Sequence, residues 1–379
     1  MNFLAKPAAP MSMALKSLAV GLLVALSFAV VTPADAKVRV YNWSNYIDPQ
    51  TIRLFKAETG IEVEYVTYNS DEEASAVLAT PDHGYDLVIA PGRVVLQYLQ
   101  RGDYERLEDN FLPNRQNMSV ALKRVVSRQN PLKDYPPRLY SDIYMWGVTG
   151  IGINRTLAPA SAPKDEGESL SVLFDPARLQ KYAECGVQVL DAPEELISAA
   201  LMHLGEDPAS TDPAVLAKTE AVLMAIRPYI RMVNSSELIP NVGTGRVCFA
   251  FGWAGDIIKG SDAYKAVHPN ADMAYYTPKE GARVWMDVMV ISSKAQHKQE
   301  AYALYNFLMR PDIAARNTHH TRYANGNSAA NLLISTALLG NEAIYPSRVT
   351  MQRLHFTPRY TGEAREVTER IWNRFLTGQ

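Results

Sequence analysis

The feature that most constrains this chain is an alternation of short apolar runs with helical patterns, starting at residue 38. Residues 38–41 read as a strand, and residues 49–59 as a helix stopped by Gly60. Residues 61–66 alternate apolar and polar side chains as a half-buried strand does. Residues 71–79 are helical, and 85–90 form a strand that ends at Pro91 and Gly92. Strand, helix, strand, helix, strand is the order of a parallel sheet with helices on its faces. The pattern resumes with strands at 186–190 and 247–251, separated by helices at 193–204 and 215–230. Strands at 273–276 and 288–291 follow, then a helix at 299–308 stopped at Pro311. Segments 131–138 and 159–168 read as loops, and no internal repeat is visible. A chain of 379 residues exceeds what one core usually supports, which is roughly 250–300 residues. Two α/β lobes are therefore expected.

The first 36 residues stand apart. Lys6 and Lys16 precede an uncharged, almost wholly apolar run at 17–31, which is followed by Pro33 and then Ala34, Asp35 and Ala36. A basic start, a short apolar stretch and a small-residue ending predict a cleaved signal peptide over residues 1–36. The run is shorter than the ~20 residues a permanent membrane helix needs. No cysteine follows it, so no lipid anchor at a mature N-terminal cysteine is expected. We read the mature protein as exported and free. The full chain's 38 basic and 40 acidic residues give a net charge of −2, which argues against nucleic acid or an anionic membrane as the main partner. Cys185 and Cys248 are too few for a disulfide scaffold and too far apart for a zinc finger. In an oxidising compartment a bridge is favoured and would contribute roughly 4 kcal/mol through loop closure. Two buried thiols remain the alternative.

Ligands of open parallel sheets bind beyond the C-terminal ends of the strands. That rule selects residues 42–46, 91–93, 191–195 and 252–256. Two of these segments carry a tryptophan, and three carry polar or acidic groups. Aromatic faces beside carboxylates suit a desolvated organic cation, through cation–π attraction and charge-assisted hydrogen bonds.

At these segments the chain resembles the periplasmic polyamine-binding proteins, the putrescine and spermidine receptors of ABC importers. The resemblance runs through residues 40–47 (VYNWSNYI), 144–154 (YMWGVTGIGIN), 185–195 (CGVQVLDAPEE) and 248–256 (CFAFGWAGD). It continues at 278–281 (PKEG), 285–287 (WMD) and 322–325 (RYAN), and so spans nearly the whole mature chain. It implies a two-lobed periplasmic-binding-protein fold of type II, each lobe a mostly parallel sheet flanked by helices, joined by crossover hinge strands. We delimit the lobes as 37–142 plus 264–311 and 143–263 plus 312–379. It also implies the Cys185–Cys248 bridge, a monomer that closes on its ligand like a hinged trap, and a permease as partner.

The family's ligand contacts fall on Trp43, Ser44, Tyr46, Glu195, Ser235, Trp253, Asp256, Trp285, Asp287 and Tyr323. The resemblance implies that the three tryptophans stack on the methylene chain and that the three acids receive ammonium groups. Ser44, Ser235 and Tyr323 would add hydroxyl contacts. Each has a plainer reading. Residues 191–194 look like a helix capping box that uses Glu194 and leaves Glu195 free. Asp256 would serve as a helix cap, and isolated tryptophans usually belong to cores; Trp146 and Trp372 are left to core or hinge packing. Two positions depart from the pattern. Asn45 stands where putrescine receptors carry an acid, and Pro91 and Arg93 stand where they carry serines. If Arg93 faced inward, an alternative ligand would be a related amine or an amino-acid-like molecule. A further alternative is a ligand-sensing partner of a membrane receptor.

An enzyme is not expected, because no G-x-S-x-G, H-E-x-x-H or P-loop pattern occurs. Gly243 and Gly245 lack the third glycine of a dinucleotide loop, and no cofactor is implied. His319 and His320 read as a solvated helix end and not as a metal site.

Overall fold

The computed structural model describes residues 36–129, 136–162 and 166–378. The predicted signal peptide, apart from Ala36, lies outside the described residues, as do parts of both expected loops.

The strands are β1 (Lys37–Trp43), β2 (Glu62–Tyr68), β3 (Leu87–Pro91), β4 (Asp142–Asn154), β5 (Val187–Val189), β6 (Met232–Val233), β7 (Phe249–Trp253), β8 (Met273–Tyr276), β9 (Ala282–Ile291), β10 (Ala324–Asn325) and β11 (Leu354–His355). They follow the order β2-β1-β3-β9-β4-β7-β5-β6, with β8 and β10 on β4 and β11 on β9. β1 pairs parallel with β2 and β3, and β5 parallel with β6 and β7. The two parallel groups are the lobes. Between them run two long antiparallel strands. β9 pairs with β3 through residues 287–291 and with β4 through 284–289, while the second half of β4 pairs with β7 and β8. These are the crossover strands that the resemblance implies, so the type II, two-lobed α/β expectation holds.

Alternation in each strand explains why both faces of the sheet are covered. In the first lobe Val38, Val40, Leu87, Ile89, Met289 and Ile291 enter one core, and Tyr41, Val88, Ala90, Val288 and Val290 enter another. In the second lobe Val187, Val189, Phe249 and Phe251 share a core with helices Pro193–His203, Pro213–Ile226 and Gly362–Thr377. Leu190, Val247 and Ala250 cover the opposite face. Trp146 and Trp372 are both buried in these cores. Helix Pro49–Thr59 ends as expected at Gly60, whose φ of 74° is the left-handed conformation glycine tolerates. Cys185 and Cys248 are bridged, with Cα atoms 5.5 Å apart, pinning the turn before β5 to the start of β7.

Two segments pack differently from the expected lobe limits. Helix Pro311–Thr321, expected in the second lobe, docks on the first: the Asn317 side chain accepts from the Asp48 N–H at 3.1 Å and from the Thr51 hydroxyl at 2.8 Å. β8, expected in the first lobe, pairs with the second-lobe half of β4. We propose moving both segments accordingly. Pro311 does not only end a helix. It occupies the first turn of the next one, where its missing N–H costs nothing.

Candidate functional site

The ends of the parallel strands of the two lobes face each other across a cavity with about 640 Å³ of empty space, open mouth included. Trp43 closes β1, Ser70 and Asp71 follow β2, and Pro91 closes β3. Opposite them, Asp191 to Glu195 follow β5, and Trp253 and Asp256 follow β7. β9 supplies the floor through Arg283, Trp285 and Asp287. Close contacts seat two of these groups. A Cβ on Gly147 would come within 2.5 Å of the Trp285 ring, and one on Gly255 within 2.5 Å of the Tyr323 ring. Only glycine lets these aromatic side chains lie flat against the backbone.

Nine of the expected residues line this cavity: Trp43, Ser44, Tyr46, Glu195, Trp253, Asp256, Trp285, Asp287 and Tyr323. The rings are packed edge to face. Trp43 and Trp253 meet across the lobes at 5.6 Å between centroids, Trp285 and Tyr323 at 5.1 Å, and Tyr46 and Tyr323 at 5.4 Å. The indole N–H groups of Trp43 and Trp285 are buried without a hydrogen-bond partner.

Three expected residues are placed elsewhere. Asn45 is exposed in a left-handed turn, with φ of 59°, a conformation its short polar side chain tolerates better than most. Ser235 accepts from the Asp191 N–H at 3.1 Å and does not line the cavity. Arg93 does not line it either. Its guanidinium bridges Asp71 of one lobe and Glu194 of the other, the second contact at 2.9 Å. Arg93 is a clasp between the lobes, and the alternative that relied on it as a ligand contact is not favoured.

The capping box also does not form. Ala192 is the N-cap of helix Pro193–His203 and makes no side-chain cap bond, while Asp191 accepts instead from the Trp372 indole at 3.3 Å. Glu194 is drawn away by Arg93. Burial opposes its ionisation, but Arg93 and Arg283 beside it outweigh that and hold its carboxyl below the ordinary value.

Sequence reasoning missed Arg283, Asp71 and Glu72 as cavity residues, and it gave Asp191 and Glu194 of the selected segment 191–195 to a capping box. Arg283 pairs with Glu195, whose Oε1 also accepts from the Trp253 indole at 3.1 Å. Strand alternation would have found it: Arg283, Trp285 and Asp287 occupy every second position of β9 and share a face. The signal was lost because the strand was expected to begin at 288.

Five of the seven cavity carboxylates divide into two sets, and the other two, Glu72 and Asp191, belong to exposed residues. Asp71, Glu194 and Glu195 are neutralised by arginines of the chain itself. Asp256 and Asp287 have no salt-bridging cation among the described residues. Burial pushes Asp287 up to about 7, against the opposing pull of the Tyr46 hydroxyl and of Arg283. Burial likewise pushes Asp256 up to about 6, although the Tyr323 hydroxyl donates to it at 2.7 Å. Two carboxylates poised this way, among aromatic faces, are equipped to take up a cation. No group of three or more metal-ligating side chains occurs among the described residues. His319 accepts from the Ser335 N–H at 3.3 Å, at the end of its helix.

Residues 50–337 match the bacterial extracellular solute-binding protein family. This chain belongs to that family. Over 91% of its length it is 35% identical to the putrescine-binding periplasmic protein SpuD of Pseudomonas aeruginosa, covering 94% of that relative. It is 33% identical to the putrescine-binding periplasmic protein PotF of Escherichia coli, over 96% of this solute-binding chain and 98% of the relative. Its fold is shared with the spermidine/putrescine ABC transporter substrate-binding protein PotD of Streptococcus pneumoniae. The TM-score is 0.72 at 23% identity, with 91% and 99% of the two chains covered. These relatives are named for binding and not for catalysis. No helix among the described residues is long and apolar enough to cross a membrane.

Proposed function

We propose that this solute-binding protein captures a polyamine between its two lobes and presents it to the permease of an ABC importer. It works as a monomer in the periplasm, after loss of residues 1–36. The observation that carries the ligand class is the pair Asp256 and Asp287, two carboxylates in an aromatic cavity without a salt-bridging cation among the described residues. An ammonium group supplies the charge each lacks, and the methylene chain between ammonium groups supplies apolar surface to Trp43, Trp253 and Trp285. The putrescine-binding relatives support the same class.

Capture couples to closure because the cavity is built from both lobes. Trp43 meets Trp253 and Arg93 reaches Glu194, each contact joining one lobe to the other. A ligand that touches both walls binds the closed form better and shifts the population toward it. The closed pair of lobes is then what a permease distinguishes from the open one. A thermal-shift screen with putrescine, cadaverine, spermidine, agmatine and amino acids tests the ligand class. Stabilisation by the amines is expected, and stabilisation by amino acids alone would overturn it.

A further inference from the structure

The floor of the cavity is a row on one face of β9: Asp287, Trp285, Arg283. At 3.3–3.4 Å per residue, the Cα atoms of Asp287 and Arg283 lie about 13 Å apart, with the indole between them. The row therefore runs from a carboxylate through an aromatic face to a guanidinium.

At the far end, Arg283 is 6% exposed and Glu195 2%. Their ion pair is sealed into the wall, and the Glu195 carboxylate is further fixed by the Trp253 indole. The guanidinium stands where an ammonium further along the row would seek its carboxylate. Glu72 and Asp191 also line the cavity, but both residues are exposed, and partial burial together with Glu194 raises the Glu72 carboxyl above its ordinary value, which weakens it as an anion.

We infer that Arg283 sets the length of polyamine the cavity accepts, admitting diamines and disfavouring triamines; this rests on the polyamine reading above. Asp256 and Asp287 lie together beside Tyr323 and hold one end of the ligand, so a diamine reaches only part of the way along the row. A third ammonium must enter the end where Glu195 is already neutralised, and there it meets a fixed like charge. Rejection of a competitor by an unpaired charge is a general route to specificity. Trp285 and the acids set the ligand class, and Arg283 sets the length within it.

Calorimetric titration of putrescine and spermidine into the wild-type protein, Arg283→Met and Arg283→Lys tests this. The wild type is expected to prefer putrescine by about tenfold or more, Arg283→Lys to keep that preference, and Arg283→Met to reduce it by about tenfold. Equal wild-type affinities, or an unchanged preference in Arg283→Met, would overturn the role of Arg283 while leaving polyamine binding intact. If Arg283→Met does not fold, the wild-type preference and its fate in Arg283→Lys decide the matter. Binding of neither amine by the wild type would overturn the polyamine reading, and the inference with it.

Discussion

The two ends of the cleft use the same residue type to opposite effect. At the Glu194–Glu195 end, carboxylates are compensated by Arg93 and Arg283 and tie structure together. At the Asp256–Asp287 end, carboxylates sit among tyrosines and tryptophans with no salt-bridging cation among the described residues, and burial raises both. A buried ion pair contributes little net stability, whereas an uncompensated buried acid represents free energy that an incoming cation recovers. The difference shows that acid count alone does not locate a cation site; what counts is which acids the chain has left uncompensated.

The sharpest way to break this contrast is Asp287→Asn. Losing one partner of a buried charge pair costs roughly 3 kcal/mol, so putrescine affinity should fall about a hundredfold by calorimetry. The ligand-free variant should melt higher than the wild type near neutral pH. The sign follows from the raised carboxyl: it favours the folded state while protonated, and that contribution is lost as pH rises from the ordinary carboxylate range through about 7. A lower melting temperature would mean that Asp287 is compensated after all.

Trp43→Ala removes one aromatic face and its contact with Trp253. A loss of about tenfold in affinity is expected, in line with ~1–2 kcal/mol for a desolvated cation–π contact. An unchanged affinity would leave Trp43 a core residue.

The smallest effect belongs to the compensated end. Arg93→Ala releases the clasp between Asp71 and Glu194, which line the cavity although Arg93 itself does not. Affinity should fall by about threefold, the scale of a partly exposed ion pair, and small-angle scattering of the ligand-free protein should show a more open form. Tighter binding in this variant would instead place Arg93 among the groups that repel the ligand.

Much of the site was legible because strand ends can be read locally. Trp43, Trp253 and Asp256 follow short apolar runs that announce themselves, and the carboxylate–tryptophan pattern names a chemistry. β4 was harder to see. Its 13 residues are buried throughout, so it shows no alternation, and Gly147, Gly150 and Gly152 lower its strand propensity where other side chains press against the backbone. Its family likeness was visible, but its role as a crossover strand was not. The fates of Arg93, Glu194 and Arg283 were illegible for another reason. Each depends on a partner about ninety to a hundred residues away, or on a strand boundary misplaced by six residues, and local patterns carry neither. The capping box at 191–194 failed the same way, because a distant arginine drew Glu194 off.

The central claim is that Asp256 and Asp287 receive the ligand's charge, and proton release on binding tests it most directly. With carboxyls near 6 and 7 in the ligand-free protein, these groups together carry about one proton at pH 6.5, and an ammonium partner displaces it. Putrescine titrated at pH 6.5 in buffers of low and high ionisation enthalpy should show release of about one proton per ligand, vanishing above pH 8. Binding with no buffer dependence at pH 6.5 would contradict the claim.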